Sequence, residues 1–147
     1  TVMKIPIADQ YGTVWIHLLP FIRPAAVRRV FEDESDLITD VQSAVRAVIS
    51  HMEIDPNERN ILVAHQFVTG ASRCESEDIQ VGGLDNIDAS VFEAFDYTAL
   101  GHIHSPQNVG KGMVRYCGTP LKYSFSDLLF PMKLPEFIAI LSKHLFI

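Results

Sequence analysis

Two short apolar runs, Ile61-Leu62-Val63-Ala64 and Tyr97-Thr98-Ala99-Leu100, constrain the fold of this chain more than any other feature. Neither alternates polar with apolar residues as a half-wet strand does, so each reads as a strand buried on both faces. Helical patterns alternate with these runs, and an α/β unit follows. Each run also leads into histidine: His65 comes directly after Ala64, and Gly101-His102-Ile103-His104 comes directly after Leu100.

The remaining elements fit around these strands. Val2 to Ile7 and Thr13 to Leu19 read as a β-hairpin joined by Asp9-Gln10-Tyr11-Gly12. Its second strand makes His17 a packed or rim histidine. From Ser35, a candidate N-cap behind Glu32-Asp33-Glu34, apolar residues recur at helical spacing as far as Met52. Asp55-Pro56-Asn57 ends that helix. Asp88 to Phe95 reads as a second helix capped by Asp88. Gly101 breaks the second buried strand and gives the backbone room to turn. Val109 to Gly118 reads as a turn and a return strand, and Pro135 opens a last apolar helix, Glu136 to Phe146.

A chain of 147 residues with 48% hydrophobic content is long enough for one sizeable core. Cys74 and Cys117 show no metal-finger or disulfide spacing and read as free thiols of a reducing compartment. No stretch reaches the roughly 18 apolar residues of a membrane span, and no signal-peptide order opens the chain, so a cytoplasmic protein is expected. The formal charge of −6 disfavours a surface that holds nucleic acid by counterion release, although a metal site would add local positive charge. The chain opens on Thr1 and enters an apolar stretch at once, which reads as a cut from something longer.

In an extended segment residues two apart point the same way, so His102 and His104 can reach one metal ion or two adjacent ones. Taken alone they fit two solvent-exposed loop histidines equally well. His65 alone would read as a strand-end histidine bonded to backbone. Together the three stand at two strand ends, and ligands gather at the carboxyl ends of strands in open α/β sheets. His17, His51 and His144 carry no assigned function. Gly110-x-Gly112 is a turn without the dinucleotide spacing. Asp36, Asp40 and Glu53 lie along a solvated helix face, and Glu75, Glu77 and Asp78 form a solvated acidic run. There is no G-x-S-x-G elbow and no P-loop, and Cys74 lacks an activating neighbour, so no catalytic and no organic-cofactor residue is assigned.

Four stretches, Val63 to Ala71, Val81 to Asp85, Phe95 to His104 and Arg115 to Ser126, resemble the SbcD-type DNA exonuclease family in order and spacing. The hairpin and Leu18-Leu19-Pro20-Phe21 also fit. That family belongs to the calcineurin-like metallophosphoesterases, so the resemblance implies a partial fold of that kind, with helices around mixed sheets and the N-terminal half missing. It implies residues 1–127 as the C-terminal part of a nuclease domain and 128–147 as a divergent apolar helical tail. It further implies His65 and His102 as ligands of one manganese ion and His104 as a ligand of a second, an SbcC-type ATPase and DNA ends as partners of the complete protein, and in-line attack on a phosphodiester between the two ions.

The family's D-x-H, G-D-x-x-D and G-N-H-D motifs do not occur among these residues. Three neutral imidazoles without carboxylates do not suit two hard divalent ions side by side. The expectation is therefore a fragment or truncated homologue that is inactive alone, does not hold both ions and is prone to self-association. The alternatives are another metallophosphoesterase or a non-catalytic interaction module.

Overall fold

A computed structural model describes residues 2–69, 71, 86–110 and 113–118. The chain opens with an antiparallel hairpin, β1 (Met3–Asp9) and β2 (Gly12–Leu19), with Asp9 opposite Gly12 across a loop of Gln10 and Tyr11. Gly12 has φ +116°, a conformation open to glycine and costly for other residues. Two helices follow, α1 (Pro24–Val30) and α2 (Val41–Ser50), and then the strands β3 (Arg59–His65), β4 (Tyr97–Gly101), β5 (Gln107–Asn108) and β6 (Val114–Tyr116). The six strands make one mixed sheet, in the order β1-β2-β3-β4-β6-β5. Strands β2, β3, β4 and β6 run parallel, and the antiparallel pairs lie at the two edges. The α/β expectation is met.

Several boundaries differ from the expected ones, each for a local reason. The helix expected from Ser35 begins at Val41, because Asp40 caps it. Its carboxylate accepts from the Ser43 N–H at 2.7 Å, and the Ser43 hydroxyl accepts in turn from the Asp40 N–H at 3.0 Å. Asp40 is thus a cap and not part of a solvated helix face. Residues Glu32–Leu37 form a separate 3-10 turn, which leaves Leu37 exposed and turns Ile38 into the core. The segment expected as a helix from Asp88 to Phe95 is a 3-10 turn, Ala89–Phe92, whose Ser90 N–H donates to the expected cap, Asp88, at 2.9 Å. Helix α1 was not expected. It is a single short stretch that buries Val27, and its sequence signals are Pro24 at its first turn and Arg28 and Arg29 in its last. Strand β5 was also not expected. The helix over 136–146 and the tail 128–147 lie outside the described residues.

Alternate residues of a strand face opposite sides. On the helical side Leu62, Ala64, Leu100 and Tyr116 join Val41, Ala44 and Val45 of α2 in the main core. A fully buried side chain such as Leu62 contributes about 1.5–3 kcal/mol relative to exposure. Among the described residues the opposite side holds a small cluster of Val14, Ile61, Tyr97 and Ala99, with Ile16 and Met113 against it. Beyond it Met3, Ile5 and Ile7, at alternate positions of β1, are exposed, Met3 by 59% and Ile7 by 53%. Val63 is 40% exposed, so the run Ile61 to Ala64 is not buried on both faces as expected. Among the described residues nothing covers Val63 on that side.

Arg59 locks the hairpin turn onto β3. It donates to both Asp9 carboxylate oxygens, at 2.9 and 2.6 Å, and to the Gly12 carbonyl at 3.0 Å. The Arg59 guanidinium, aided by the Tyr11 N–H, holds the Asp9 carboxyl below the usual carboxylate range. A depressed carboxylate adds stability above its unfolded value, near 3.9, and loses that stability as pH falls through the folded value. The expected outcome is that Arg59→Met lowers the denaturant midpoint at pH 7, and that its gap to the parent chain narrows as pH falls below about 4. A gap that does not change with pH would show that the effect does not come from the Asp9 carboxylate.

Candidate metal centre

The carboxyl ends of β3 and β4 bring two of the three candidate histidines together. His65 is the last residue of β3 and pairs in register with Gly101, the last residue of β4. The His65 and His102 ring centroids lie 5.4 Å apart with the rings nearly perpendicular, at 89°. Two phenylalanines flank the pair. Phe21 is 6.4 Å from His65 and Phe67 is 6.1 Å from His102, both edge to face. The sequence reading takes neither phenylalanine as part of the site, although Phe67 lies two residues past His65.

Gly101 has a different role from the one expected. It ends the strand as expected, but the turn is not made there, and its missing side chain makes room for His65. A Cβ on Gly101 would stand 2.8 Å from His65 Nδ1. The turn falls one residue later, on His102, which has φ +96°. Positive φ in a non-glycine residue is strained, and such strain is concentrated at functional sites.

The extended H-x-H geometry expected for His102 and His104 is therefore absent. Strand β4 ends before His102, and Ile103 is buried in the main core. The His104 backbone carbonyl lies close to Gly118, where an added Cβ would approach it to 2.9 Å. Among the described residues, no group of three His, Cys, Asp or Glu side chains could hold a metal ion.

His17 and His51 have structural settings. His17 is buried, pairs through Nε2 with Asn60 Oδ1 at 3.0 Å, and burial pushes its pKa down, which keeps the ring neutral. His51 stacks on Phe31 at 4.3 Å and meets Glu34 at 3.2 Å. His144 lies outside the described residues.

An apolar groove of about 560 Å³ runs along the bare side of the sheet and reaches His65, lined in part by Met3, Leu18, Val63, Ala99 and Cys117. Burial pushes the Cys117 thiol up, so at neutral pH it is a protonated thiol and a poor ligand. A second cavity of about 570 Å³ lies beside Lys4, His17, Phe31 and His51 and does not include the imidazole pair. The groove lies closer to the candidate chemistry.

With this geometry established, the chain can be set beside known proteins. It is 34% identical over 119 residues to the SbcD component of the SbcCD nuclease of Staphylococcus saprophyticus, a match that covers 79% of this chain and 31% of that protein. It is 34% identical over 113 residues to the corresponding SbcCD nuclease component of Staphylococcus epidermidis, covering 75% of this chain and 30% of that protein. This chain is an SbcD-type nuclease relative. No protein-family model matches it. The matches thus span under a third of the length of either relative.

The donor set of this SbcD relative does not by itself fit a centre of two hard divalent ions. Two imidazoles meet, no third ligand group closes around them among the described residues, and such ions favour carboxylate oxygen. No helix among the described residues is long and apolar enough to cross a membrane.

Gly101→Ala should displace the His65 ring, because the backbone of two paired strands cannot retreat from a contact of 2.8 Å. The expected outcome is a changed His65 ring environment in histidine-selective NMR, with the His17 signals unmoved. Unchanged His65 signals in a folded variant would show that the ring has room to spare.

Proposed function

We propose that this chain is part of an SbcD-type nuclease and contributes His65, His102 and His104 to a metal centre that segments outside these residues complete. The meeting of the His65 and His102 rings at 5.4 Å, at the carboxyl ends of adjacent parallel strands, carries this reading. An imidazole nitrogen sits about 2 Å from a bound ion, and two rings at this spacing are near enough to share one. His104 would serve a second ion. When bound, such ions supply a hydroxide nucleophile and neutralise charge on a phosphodiester. This chain's own part is to present the imidazoles. An SbcC-type ATPase and DNA ends are the proposed partners of the complete protein, and the fold is proposed as part of a calcineurin-like phosphoesterase domain.

The bare side of the sheet supports the same reading. Exposed Met3, Ile5, Ile7 and Val63 form an apolar surface of the kind a second layer covers in a two-sheet domain. Among the described residues strand β1 also offers an unpaired edge at the border of the sheet.

Two outcomes are expected. The 147-residue chain should not hydrolyse a model phosphodiester in manganese, and in the full-length protein His65→Ala, His102→Ala and His104→Ala should each lower the manganese-dependent exonuclease rate by a factor of at least about 100, with His17→Ala and His51→Ala far milder where they fold. Near-parental rates for the first three would reassign those histidines to structure. Separately, the isolated chain should self-associate through its bare face and edge, as read by light scattering over a concentration series. A monodisperse monomer at high concentration would remove the uncovered layer as support.

A further inference from the structure

We propose that Tyr116 is a positioning residue for the His65 and His102 imidazole pair, its hydroxyl clamping the backbone turn that leads away from His65. The proposal rests on reading that pair as the functional site. Tyr116 is fully buried on β6, two strands away from β3, and its side chain lies on the helical side of the sheet. Its hydroxyl accepts from the Val68 N–H at 2.7 Å and donates to the Gln66 carbonyl at 2.9 Å. A ring needed only for bulk would be served by phenylalanine. Here the hydroxyl uses a donor and an acceptor function on one short piece of backbone.

That piece is the one the site depends on. The two bonds bracket Phe67, whose ring lies against His102. The turn is held from other directions too: the Gln66 side-chain Nε2 donates to the Pro20 carbonyl at 3.3 Å, the Thr69 N–H donates to the Ile87 carbonyl at 2.8 Å, and the Ile87 N–H donates to the Phe67 carbonyl at 3.2 Å. Gln66 and Val68 are buried while His65 is exposed. The direction of the His65 ring is therefore set by the backbone that carries it and by Phe21, Gly101 and His102 around it. Without the Tyr116 hydroxyl, the buried Val68 N–H and Gln66 carbonyl lose a partner, and the turn shifts to find others.

The test is the nuclear Overhauser effect between the His65 and His102 rings in the 147-residue chain, compared with Tyr116→Phe and with Val45→Ala, a core change in α2 that removes none of the turn's hydrogen bonds. The clamp predicts that Tyr116→Phe keeps the fold but loses the cross-ring effect, while Val45→Ala keeps it. Persistence of the effect in Tyr116→Phe, or equal loss in both variants, overturns the proposal. Should Tyr116→Phe fail to fold, the unmodified chain is warmed, and the cross-ring effect should vanish together with protection of the Val68 amide against hydrogen exchange. A cross-ring effect that outlasts that protection overturns the clamp. The readout uses neither metal nor DNA, so loss of the clamp and loss of the nuclease reading are separate outcomes.

Discussion

Asn60 is the residue on which the alignment of the central strands turns. A buried amide costs free energy unless its groups are paired, and Asn60 meets that demand by touching several segments at once. Its Oδ1 pairs with His17 Nε2 of β2 at 3.0 Å, and its Nδ2 donates to the Asp55 and Glu58 carbonyls at 2.7 and 2.8 Å. Its backbone exchanges two bonds with Asp96, just before β4, at 2.7 and 2.9 Å. Strands β3 and β4 are thereby aligned at their starting ends and β2 part-way along its length, away from the candidate chemistry. A slip of one residue would send every side chain of a strand to the opposite face. The pairing of His65 with Gly101 at the far end inherits this alignment, and so does the space that receives the His65 ring.

The parts legible in the sequence are those where a periodic pattern and a punctuating residue agree. The hairpin has two apolar runs and a glycine, β3 and β4 have unbroken apolar runs, and both lead into histidine. What escapes are features made by contacts distant in sequence, or by a cap hidden inside a longer apolar series. No pattern around residue 35 shows that Asp40 and Ser43 cap each other, so the helical spacing extends back along a series that Leu37 and Ile38 continue by chance. The Asn60 node joins residues 17, 60 and 96, and the Tyr116 hydroxyl bonds lie 48 and 50 positions apart in sequence. Local spacing carries no trace of either.

Gly101 shows how a correct residue can be given the wrong reason. A glycine after a buried run suggests a break in the strand, and the residue does stand where the strand ends. Its own backbone is not left-handed, however, and the positive φ falls on His102. The glycine serves a ring on the neighbouring strand, a demand that becomes visible only with the β3 and β4 register. The same register explains why the extended H-x-H geometry fails. Ile103 is drawn into the main core, and that burial takes the backbone out of strand geometry between the two histidines.

The side of the sheet on which His65 stands links the candidate site to the uncovered core. His65, Val63 and Ile61 alternate along β3, so the imidazole projects from the same side as the exposed Val63 and the bare apolar surface of β1. On the nuclease reading, whatever layer covers Met3, Ile5, Ile7 and Val63 also closes the groove that reaches His65, and lies where carboxylate ligands have to arrive. Closing the core and completing the metal centre are then one packing event. On the same reading, imidazoles alone would leave two hard cations unneutralised, and carboxylates alone would lack the donors that β3 and β4 align.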